Sequence, residues 1–302
     1  MSEAPVGVVV ERDGAQYRVA VGGREVRAVL RGKMKRGAEQ VVVGDRVHLE
    51  PEPQGGLHGI TAVEPRRSLL ERRVPLGRGT RPVAANIDRV LVMTAATHPA
   101  PIPSLLDRLL VVAEANDLPA TLIVNKTDLD PGTALIARYR QAGYEVLPVS
   151  VRSGAGLEAV RARLAGAEAV VTGPSGAGKS SLLNALEPGL ALRTGAISEK
   201  VKRGTQTTTG AVLVPLAGGG WLVDTPGFSE VGLWGIVPRE LASCFPEFRP
   251  LLDACRFPDC SHSHEPGCAI QAAAERGEVH PERLASYRLL LTEVLEEPKE
   301  WE

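Results

Sequence analysis

The sequence predicts a multidomain chain with a small N-terminal β-barrel, a central α/β domain and a C-terminal helical domain that carries most of the cysteines. Short β patterns separated by glycines fill residues 6–64, strand and helix patterns alternate from 83 to about 235, and three of the four cysteines lie within 255–268. At a typical 100–200 residues per domain, a chain of 302 residues has room for two or three domains. The predicted boundaries are 1–66 for the barrel, 67–82 for a linker, 83–235 for the central domain and 236–302 for the C-terminal domain.

The composition is that of a globular protein. Hydrophobic residues make up 43% and charged residues 24%, which excludes wholesale disorder and a coiled coil. No stretch approaches 18 consecutive apolar residues, which excludes a spanning helix, and the acidic, lysine-free N-terminus predicts no secretory signal. The grouping of three cysteines favours a metal site over disulfides, so we expect a cytoplasmic protein. We also expect no membrane partner.

Charge is distributed unevenly along the chain. Residues 1–82 hold 15 Lys and Arg against 10 Asp and Glu (+5), residues 83–235 hold 13 of each (0), and residues 236–302 hold 7 against 13 (−6). A basic first block on a near-neutral protein favours a polyanionic partner, although an ordinary solvated basic face accounts for the charge equally well.

About five short strands in residues 6–64 fit a small closed barrel, for which the OB fold is the commonest nucleic-acid-binding version. An SH3-like barrel that serves only as a spacer is the alternative. Tyr17 is the one aromatic residue in this block, so stacking on single-stranded bases is poorly supported. A basic loop favours contact with the backbone of folded RNA. The residues of this loop are Arg31, Lys33, Lys35 and Arg36.

The central domain alternates buried strands with amphipathic helices, which predicts a parallel sheet wrapped by helices. Strands are expected near 90–93, 121–124, 146–149 and 169–171, and helices over 103–115 and from Asp130-Pro131 to about 142. A terminal helix is expected over 282–297. The predicted buried face of that helix comprises Leu284, Tyr287, Leu291 and Leu295.

A phosphate-binding loop is predicted between the strand near 169–171 and the helical pattern after residue 180. The segment GPSGAGKS (173–180) fits GxxxxGK[ST], in which glycines let backbone N–H groups face phosphates at a helix N-terminus. Lys179 is predicted to act on the β/γ-phosphates, and the Ser180 hydroxyl to bind Mg²⁺. The predicted phosphate-binding residues are Gly173, Pro174, Ser175, Gly176, Ala177, Gly178, Lys179, Ser180 and Ser181.

Two further segments complete a nucleotide-site prediction. Asn125-Lys126-Thr127-Asp128 ends a strand, and a carboxylate there can accept the N1–H and N2–H₂ of guanine, which adenine cannot supply. Ser150 follows the next strand and would help to hold the base, although its motif also fits a plain helix N-cap. Asp224 lies 45 residues after Lys179 at the tip of an apolar strand, where an acid would hold Mg²⁺, and Gly227 would sense the γ-phosphate.

A metal site is predicted in the C-terminal domain. Cys255, Cys260, His262 and Cys268 form C-x₄-C-x-H-x₅-C, and three thiolates with one imidazole make the closed donor set of a structural Zn²⁺. His264 is a rival ligand two residues further on. Cys244 lies outside the set and is expected to be a packed thiol.

These motifs together resemble GTPases, but in the order base-selecting segment (125–128, the base box), phosphate loop (173–180) and switch (224–227), which is the circularly permuted arrangement. The segment KVKRGTQTTT (200–209) looks like the first switch of the ribosome small subunit-dependent GTPases (RsgA/YjeQ). The resemblance covers nearly the whole chain and implies an OB-like barrel, a permuted P-loop GTPase domain and a zinc-binding domain. It further implies a Mg²⁺ contact by Thr209, and zinc ligation by His262 in preference to His264.

The resemblance implies a GTP hydrolase that is stimulated by the small ribosomal subunit and acts in its late assembly, with GTP or GDP, the subunit and its rRNA as partners. Phe228 stands where conventional GTPases place a water-orienting Gln, so slow intrinsic hydrolysis is expected. Gln206 stands where the family often has His, and it either orients the water or is a solvated loop residue. We expect a monomer. The rival functions are a GTP-sensing RNA-binding scaffold with negligible turnover and a permuted GTPase that acts on the large subunit or on membranes.

Overall fold

A computed structural model describes residues 4–35, 40–51, 56–73, 80–187, 211–224 and 236–296. The first three of these segments contain five strands that form a barrel in the order β1-β2-β3-β5-β4. Antiparallel pairing of β1 with β4 closes the barrel. The strands are β1 (Val6–Asp13), β2 (Gln16–Val21), β3 (Arg24–Leu30), β4 (Arg46–Pro51) and β5 (His58–Val63). Alternating apolar residues such as Val9, Val19 and Ile60 are fully buried inside the barrel. The predicted closed barrel is therefore confirmed.

The segment expected to be a linker contains regular structure. Strands β6 (Leu69–Arg73) and β7 (Thr80–Ala85) pair antiparallel into a separate two-stranded sheet. Leu70 and Ala84 of this hairpin are fully buried in the main hydrophobic core. The proline and glycine content that suggested a plain linker belongs mostly to the connection between the two strands.

The central domain is a parallel sheet with the order β10-β9-β8-β11-β13, to which β12 adds antiparallel. Its strands are β8 (Arg89–Ala95), β9 (Ala120–Asn125), β10 (Glu145–Pro148), β11 (Glu168–Thr172), β12 (Val212–Pro215) and β13 (Trp221–Asp224). Its helices are α1 (Pro103–Ala115), α2 (Thr133–Gln141), α3 (Leu157–Leu164) and α4 (Lys179–Leu186). The parallel strands are covered on both faces, as their nearly continuous apolar runs require.

The helix expected to start at Asp130-Pro131 begins later, at Thr133. The Asp130 carboxylate accepts a 2.7 Å hydrogen bond from the N–H of Gly132, so it stabilises the turn before the helix instead of capping it. Gly132 has a positive φ of 61° and is the residue that directly precedes α2.

The barrel and the central sheet are joined edge to edge. Glu11 of β1 pairs antiparallel with Val212 of β12, and Val212 pairs on its other side with Asp224 of β13. Within the described residues, this pairing makes one sheet of eleven strands that extends from β10 to β4. The barrel therefore lies beside β12, and β12 separates it from β13, the strand that carries Asp224.

The C-terminal region is helical and packs against α1. Its helices are α5 (Pro238–Leu241), α6 (Ala269–Glu275) and α7 (Pro281–Glu296), with 3₁₀ segments at Ala242–Cys244 and Pro246–Ala254. Leu284, Tyr287 and Leu291 are buried as predicted, but Leu295 is 60% exposed and Val294 is buried instead. Leu290 is also fully buried, so the buried face of α7 is centred between Tyr287 and Leu290, and Val294 continues it, whereas Leu295 is rotated by about 100° from Val294. None of the described helices is long and apolar enough to cross a membrane.

Candidate nucleotide site and metal centre

The predicted phosphate loop connects β11 to α4, which is the strand–loop–helix context that the motif requires. Gly173 and Gly178 have φ values of 143° and 103°. A Cβ on Gly173 would lie 1.9 Å from the carbonyl oxygen of Met93, and one on Gly178 would lie 2.4 Å from Nδ2 of Asn125. Glycine is therefore required at both positions because neighbouring segments pack directly on the loop backbone.

Lys179 begins α4, and its side chain turns back over the loop. The ammonium donates hydrogen bonds to the carbonyl oxygens of Gly173 at 2.5 Å and of Pro174 at 3.0 Å. The positive charge is therefore held over the loop that leads into the N-terminus of α4. Both features favour an anion at this position.

Asn125 joins the base box to the phosphate loop. Its side chain is 3% exposed; Nδ2 donates a 2.9 Å hydrogen bond to the carbonyl oxygen of Ala177, and Oδ1 accepts one of 3.1 Å from the N–H of Val151. One buried amide thus fixes three segments relative to one another: the end of β9, the phosphate loop, and the segment after β10. These are the segments predicted to hold the base and the phosphates.

Asp128 and Ser150 are in direct contact. The buried Ser150 hydroxyl donates a 2.6 Å hydrogen bond to Oδ1 of the exposed Asp128 and accepts one of 3.2 Å from the N–H of Ser153. The N–H of Thr127 bonds to the carbonyl oxygen of Val149, which holds the base box against β10. Ser150 therefore orients the Asp128 carboxylate, a role that the sequence interpretation left open.

Lys126 contacts a segment that the sequence analysis did not consider. Its backbone has a positive φ of 64°, and its ammonium donates a hydrogen bond to the carbonyl oxygen of His98 in the loop between β8 and α1. No motif marks His98, because the contact uses a main-chain carbonyl that every residue possesses.

The predicted switch residues are only partly within the described structure. Asp224 ends β13, and the pairing of Val223 with Val170 of β11 places this end beside the strand that leads into the phosphate loop. The side chain of Asp224, and the whole of Gln206, Thr209, Gly227 and Phe228, lie outside the described residues. Their roles therefore stay predictions.

The four predicted metal ligands converge. The ligand atoms of Cys255, Cys260, His262 and Cys268 all lie within 4.8 Å of one another. Nδ1 of His262 is 3.5 Å from the sulfur of Cys255 and 3.5 Å from that of Cys268. Tetrahedral zinc with Zn–S near 2.3 Å and Zn–N near 2.0–2.1 Å requires an N···S edge of about 3.5 Å, so the donor set fits this metal.

Burial shifts the pKa of two members of this cluster, Cys260 and His262. It raises the pKa of the Cys260 thiol to about 12, an effect that the neighbouring Cys268 and Cys255 sulfurs reinforce and the His262 N–H opposes. Burial lowers the pKa of His262, which favours the neutral imidazole that metals bind. A cation bound beside the Cys260 sulfur would favour the thiolate, which is the form that metals bind.

His264, the rival ligand, is exposed and does not belong to the cluster. Glu265 is the residue that sequence reasoning missed here. It accepts hydrogen bonds from the N–H and hydroxyl of Ser261 at 2.8 and 2.5 Å and from the N–H groups of Ser263 and His264 at 3.2 Å. Partial burial raises the pKa of Glu265, but these bonds lower it more strongly, to about 2. The ionised carboxylate therefore organises the ligand loop.

Comparisons with known proteins match both the sequence and the fold. A model of the RsgA GTPase family matches residues 63–234. Small ribosomal subunit biogenesis GTPase RsgA from Gemmatimonas aurantiaca is 49% identical over 304 residues, covering 98% of this chain and 99% of the relative. The protein of that name from Moorella thermoacetica is 41% identical over 292 residues, covering 96% and 97%.

Solved structures give the same result. The crystal structure of YjeQ from Thermotoga maritima has a TM-score of 0.80 and 32% identity, covering 97% of this chain and 99% of that protein. The crystal structure of YloQ, described as a circularly permuted GTPase, has a TM-score of 0.76 and 28% identity, covering 98% and 96%.

Proposed function

Since the chain belongs to the RsgA GTPase family, we propose that it hydrolyses GTP to GDP and phosphate during late assembly of the small ribosomal subunit. GTP hydrolysis is the family's activity. The subunit enters the proposal because the relatives from Gemmatimonas aurantiaca and Moorella thermoacetica are named for small-subunit biogenesis. Stimulation of hydrolysis by this subunit follows from the resemblance described above.

One observation supports the nucleotide site most directly, the buried Asn125 amide that ties the base box to Ala177 of the phosphate loop at 2.9 Å. A guanine nucleotide bound across these two segments would have its base at the Asp128 end and its phosphates at the Ala177 end. In the proposed arrangement, Asp128 selects guanine while Lys126, Thr127 and Ser150 complete the base site. The phosphate-binding group is Gly173, Pro174, Ser175, Gly176, Ala177, Gly178, Lys179, Ser180 and Ser181, with Asp224 and Gly227 at the γ-phosphate side.

Two metals are part of the proposal. Ser180 and Thr209 would hold Mg²⁺ with Asp224 nearby, and the ion would neutralise charge on the β- and γ-phosphates. Zn²⁺ would occupy the cluster formed by Cys255, Cys260, His262 and Cys268 and stabilise a loop that has little core of its own. Cys244 is buried in the hydrophobic core and has no part in this site.

We propose that the chain promotes hydrolysis in two ways: it stabilises the charge that develops on the phosphates, and it positions the attacking water. In the proposal Lys179 binds the β/γ-phosphates and stabilises the transition state, which would give it a catalytic role. Gln206 is the candidate for orienting the attacking water, since Phe228 has no group that could do so. Support for Gln206 comes from its position in the switch sequence alone.

The proposed binding partners are the small subunit and its rRNA. The basic block formed by residues 1–82 supports contact between the barrel and RNA backbone, with Arg31, Lys33, Lys35 and Arg36 as candidates. We propose that the protein acts as a monomer in the cytoplasm.

Co-sedimentation tests the proposed partner. The protein loaded with a non-hydrolysable GTP analogue is mixed separately with isolated small and large subunits and centrifuged, and the GDP-loaded protein serves as the control. We expect recovery with small subunits in the GTP-analogue state and much less with GDP. Binding to large subunits alone would contradict the proposal.

A further inference from the structure

The loop between β8 and α1 touches both halves of the proposed nucleotide site. At its start, the N–H of Ala96 donates a 2.7 Å hydrogen bond to the carbonyl oxygen of Asn125. Two residues further on, the carbonyl oxygen of His98 accepts a hydrogen bond from the Lys126 ammonium. This loop is therefore attached to the base box through a main-chain contact and a side-chain contact.

The next residue of the same loop reaches the phosphate loop. A Cβ added to Gly176 would lie 3.1 Å from Cδ and 3.5 Å from Cγ of Pro99, so the proline ring packs directly on the Gly176 backbone. Gly176 has a positive φ of 79°. His98 and Pro99 thus connect the lysine of the base box with the turn of the phosphate loop.

We propose that His98 and Pro99 are positioning residues for guanine-nucleotide binding, and that they act by holding the Lys126 side chain in place. This inference rests on the proposed function, because it concerns the same nucleotide site. Lysine has a flexible four-carbon stem, and immobilising it when the ligand binds costs conformational entropy. A Lys126 that is already tied to His98 has lost much of that freedom before the nucleotide arrives.

The consequence is an effect on affinity rather than on chemistry. The loop contacts the base side and the turn at Gly176, whereas the Lys179 ammonium bonds to the carbonyl oxygens of Gly173 and Pro174. A contact that is the same in the ground state and the transition state changes KM and leaves kcat alone. GDP and GTP should therefore be affected equally.

A double-mutant cycle with fluorescent GDP and GTP tests the proposal, using Pro99→Ala, Lys126→Met and the double variant of the full chain. We expect Pro99→Ala to raise the Kd of both nucleotides by about threefold to tenfold, with kcat at saturating GTP changed less than about twofold. In the Lys126→Met background the same change should alter Kd by less than about twofold, because the lysine through which the loop acts is gone. Pro101→Ala, in the same loop, is the control and should leave Kd unchanged.

An unchanged Kd for Pro99→Ala, or an equal effect in both backgrounds, would overturn the inference. If Pro99→Ala does not fold, His98→Gly replaces it, since glycine accepts the φ of 46° at this position and loosens the loop. Lys179→Ala is measured in parallel to separate the two proposals. If Lys179→Ala binds GDP normally, the proposed phosphate site is wrong. If Lys179→Ala loses GDP binding but the effects of Pro99→Ala and Lys126→Met are additive, the phosphate site stands and only the role of the loop is wrong.

Discussion

The guanidinium of Arg283 in α7 donates a 2.6 Å hydrogen bond to the Asp107 carboxylate in α1, and neither side chain is more than 1% exposed. Arg283 also donates to both oxygens of Glu247 at 2.6 and 3.1 Å, and its guanidinium carbon lies 4.5 Å from the centre of the Phe245 ring. Asp107 belongs to the central domain and the other three residues to the C-terminal domain. The two domains are therefore joined by a buried, charged contact.

Arg283→Leu should destabilise the protein by about 3–5 kcal/mol, because it leaves two buried carboxylates without their cation. The measurement is chemical denaturation followed by tryptophan fluorescence and circular dichroism. The matched control is Arg276→Leu, which breaks the exposed pair with Glu278 and should have a much smaller effect on the free energy of unfolding, because water screens an exposed ion pair. Equal effects of the two substitutions would show that the buried contact does not stabilise the junction.

A second test concerns the choice of base. Asp128→Asn should weaken GTP and GDP binding by about 3 kcal/mol or more and shift preference toward xanthine nucleotides, whose C2 oxygen replaces the amino group. Ser150→Ala, which removes the 2.6 Å hydrogen bond that orients Asp128 and the 3.2 Å bond from the N–H of Ser153, should weaken binding less and keep the preference for guanine. Competition binding with GDP and XDP measures both effects. Parent-like GDP affinity in Asp128→Asn would exclude this segment as the base site.

The metal centre gives a third prediction. Cys260→Ser should lower the zinc content and destabilise the C-terminal domain, because it removes one of four converging ligands. Cys244→Ser, the matched control outside the cluster, should keep the metal. Elemental analysis with thermal unfolding measures both properties. A parent protein purified without chelators that contains no zinc would contradict the assignment.

The junction between the barrel and the central sheet should respond to pH. Burial raises the pKa of Glu168 to about 7, although Arg46 and Arg67 oppose the shift, at 3.8 and 3.9 Å from its Oε1. In the folded protein the Glu168 carboxyl therefore stays protonated up to a higher pH than it does in the unfolded chain. The contribution of this proton to the free energy of unfolding is fully present below the ordinary carboxyl pKa of 4.5. It is lost as the pH rises toward 7, by at most about 3 kcal/mol.

Glu168→Gln removes this titration. Relative to the parent, its free energy of unfolding should improve steadily between pH 4.5 and 7 and stay level above that range. Denaturation curves at several pH values measure the difference between the two proteins. A difference that does not vary with pH would show that Glu168 titrates normally.

The sequence predicted those parts of the molecule that depend on residues close together in the chain. The phosphate loop and the four metal ligands have spacings that their chemistry requires, so Gly173 and Cys255 could be recognised without coordinates. Asp107 and Arg283 are separated by 176 residues, and no local sequence pattern around either residue indicates that they pair. The contact between Lys126 and His98 uses a backbone carbonyl, and the pairing of Glu11 with Val212 uses backbone edges, so residue type carries no signal for either.

Phosphate release from GTP, with and without isolated small ribosomal subunits, tests the central claim most directly. We expect weak turnover by the protein alone and at least about tenfold more with small subunits, equivalent to about 1.4 kcal/mol of activation free energy. Lys179→Ala should abolish both rates. Gln206→Ala should lose only the stimulated rate if Gln206 holds the water. No release in either condition, or a rate that small subunits leave unchanged, would contradict the account.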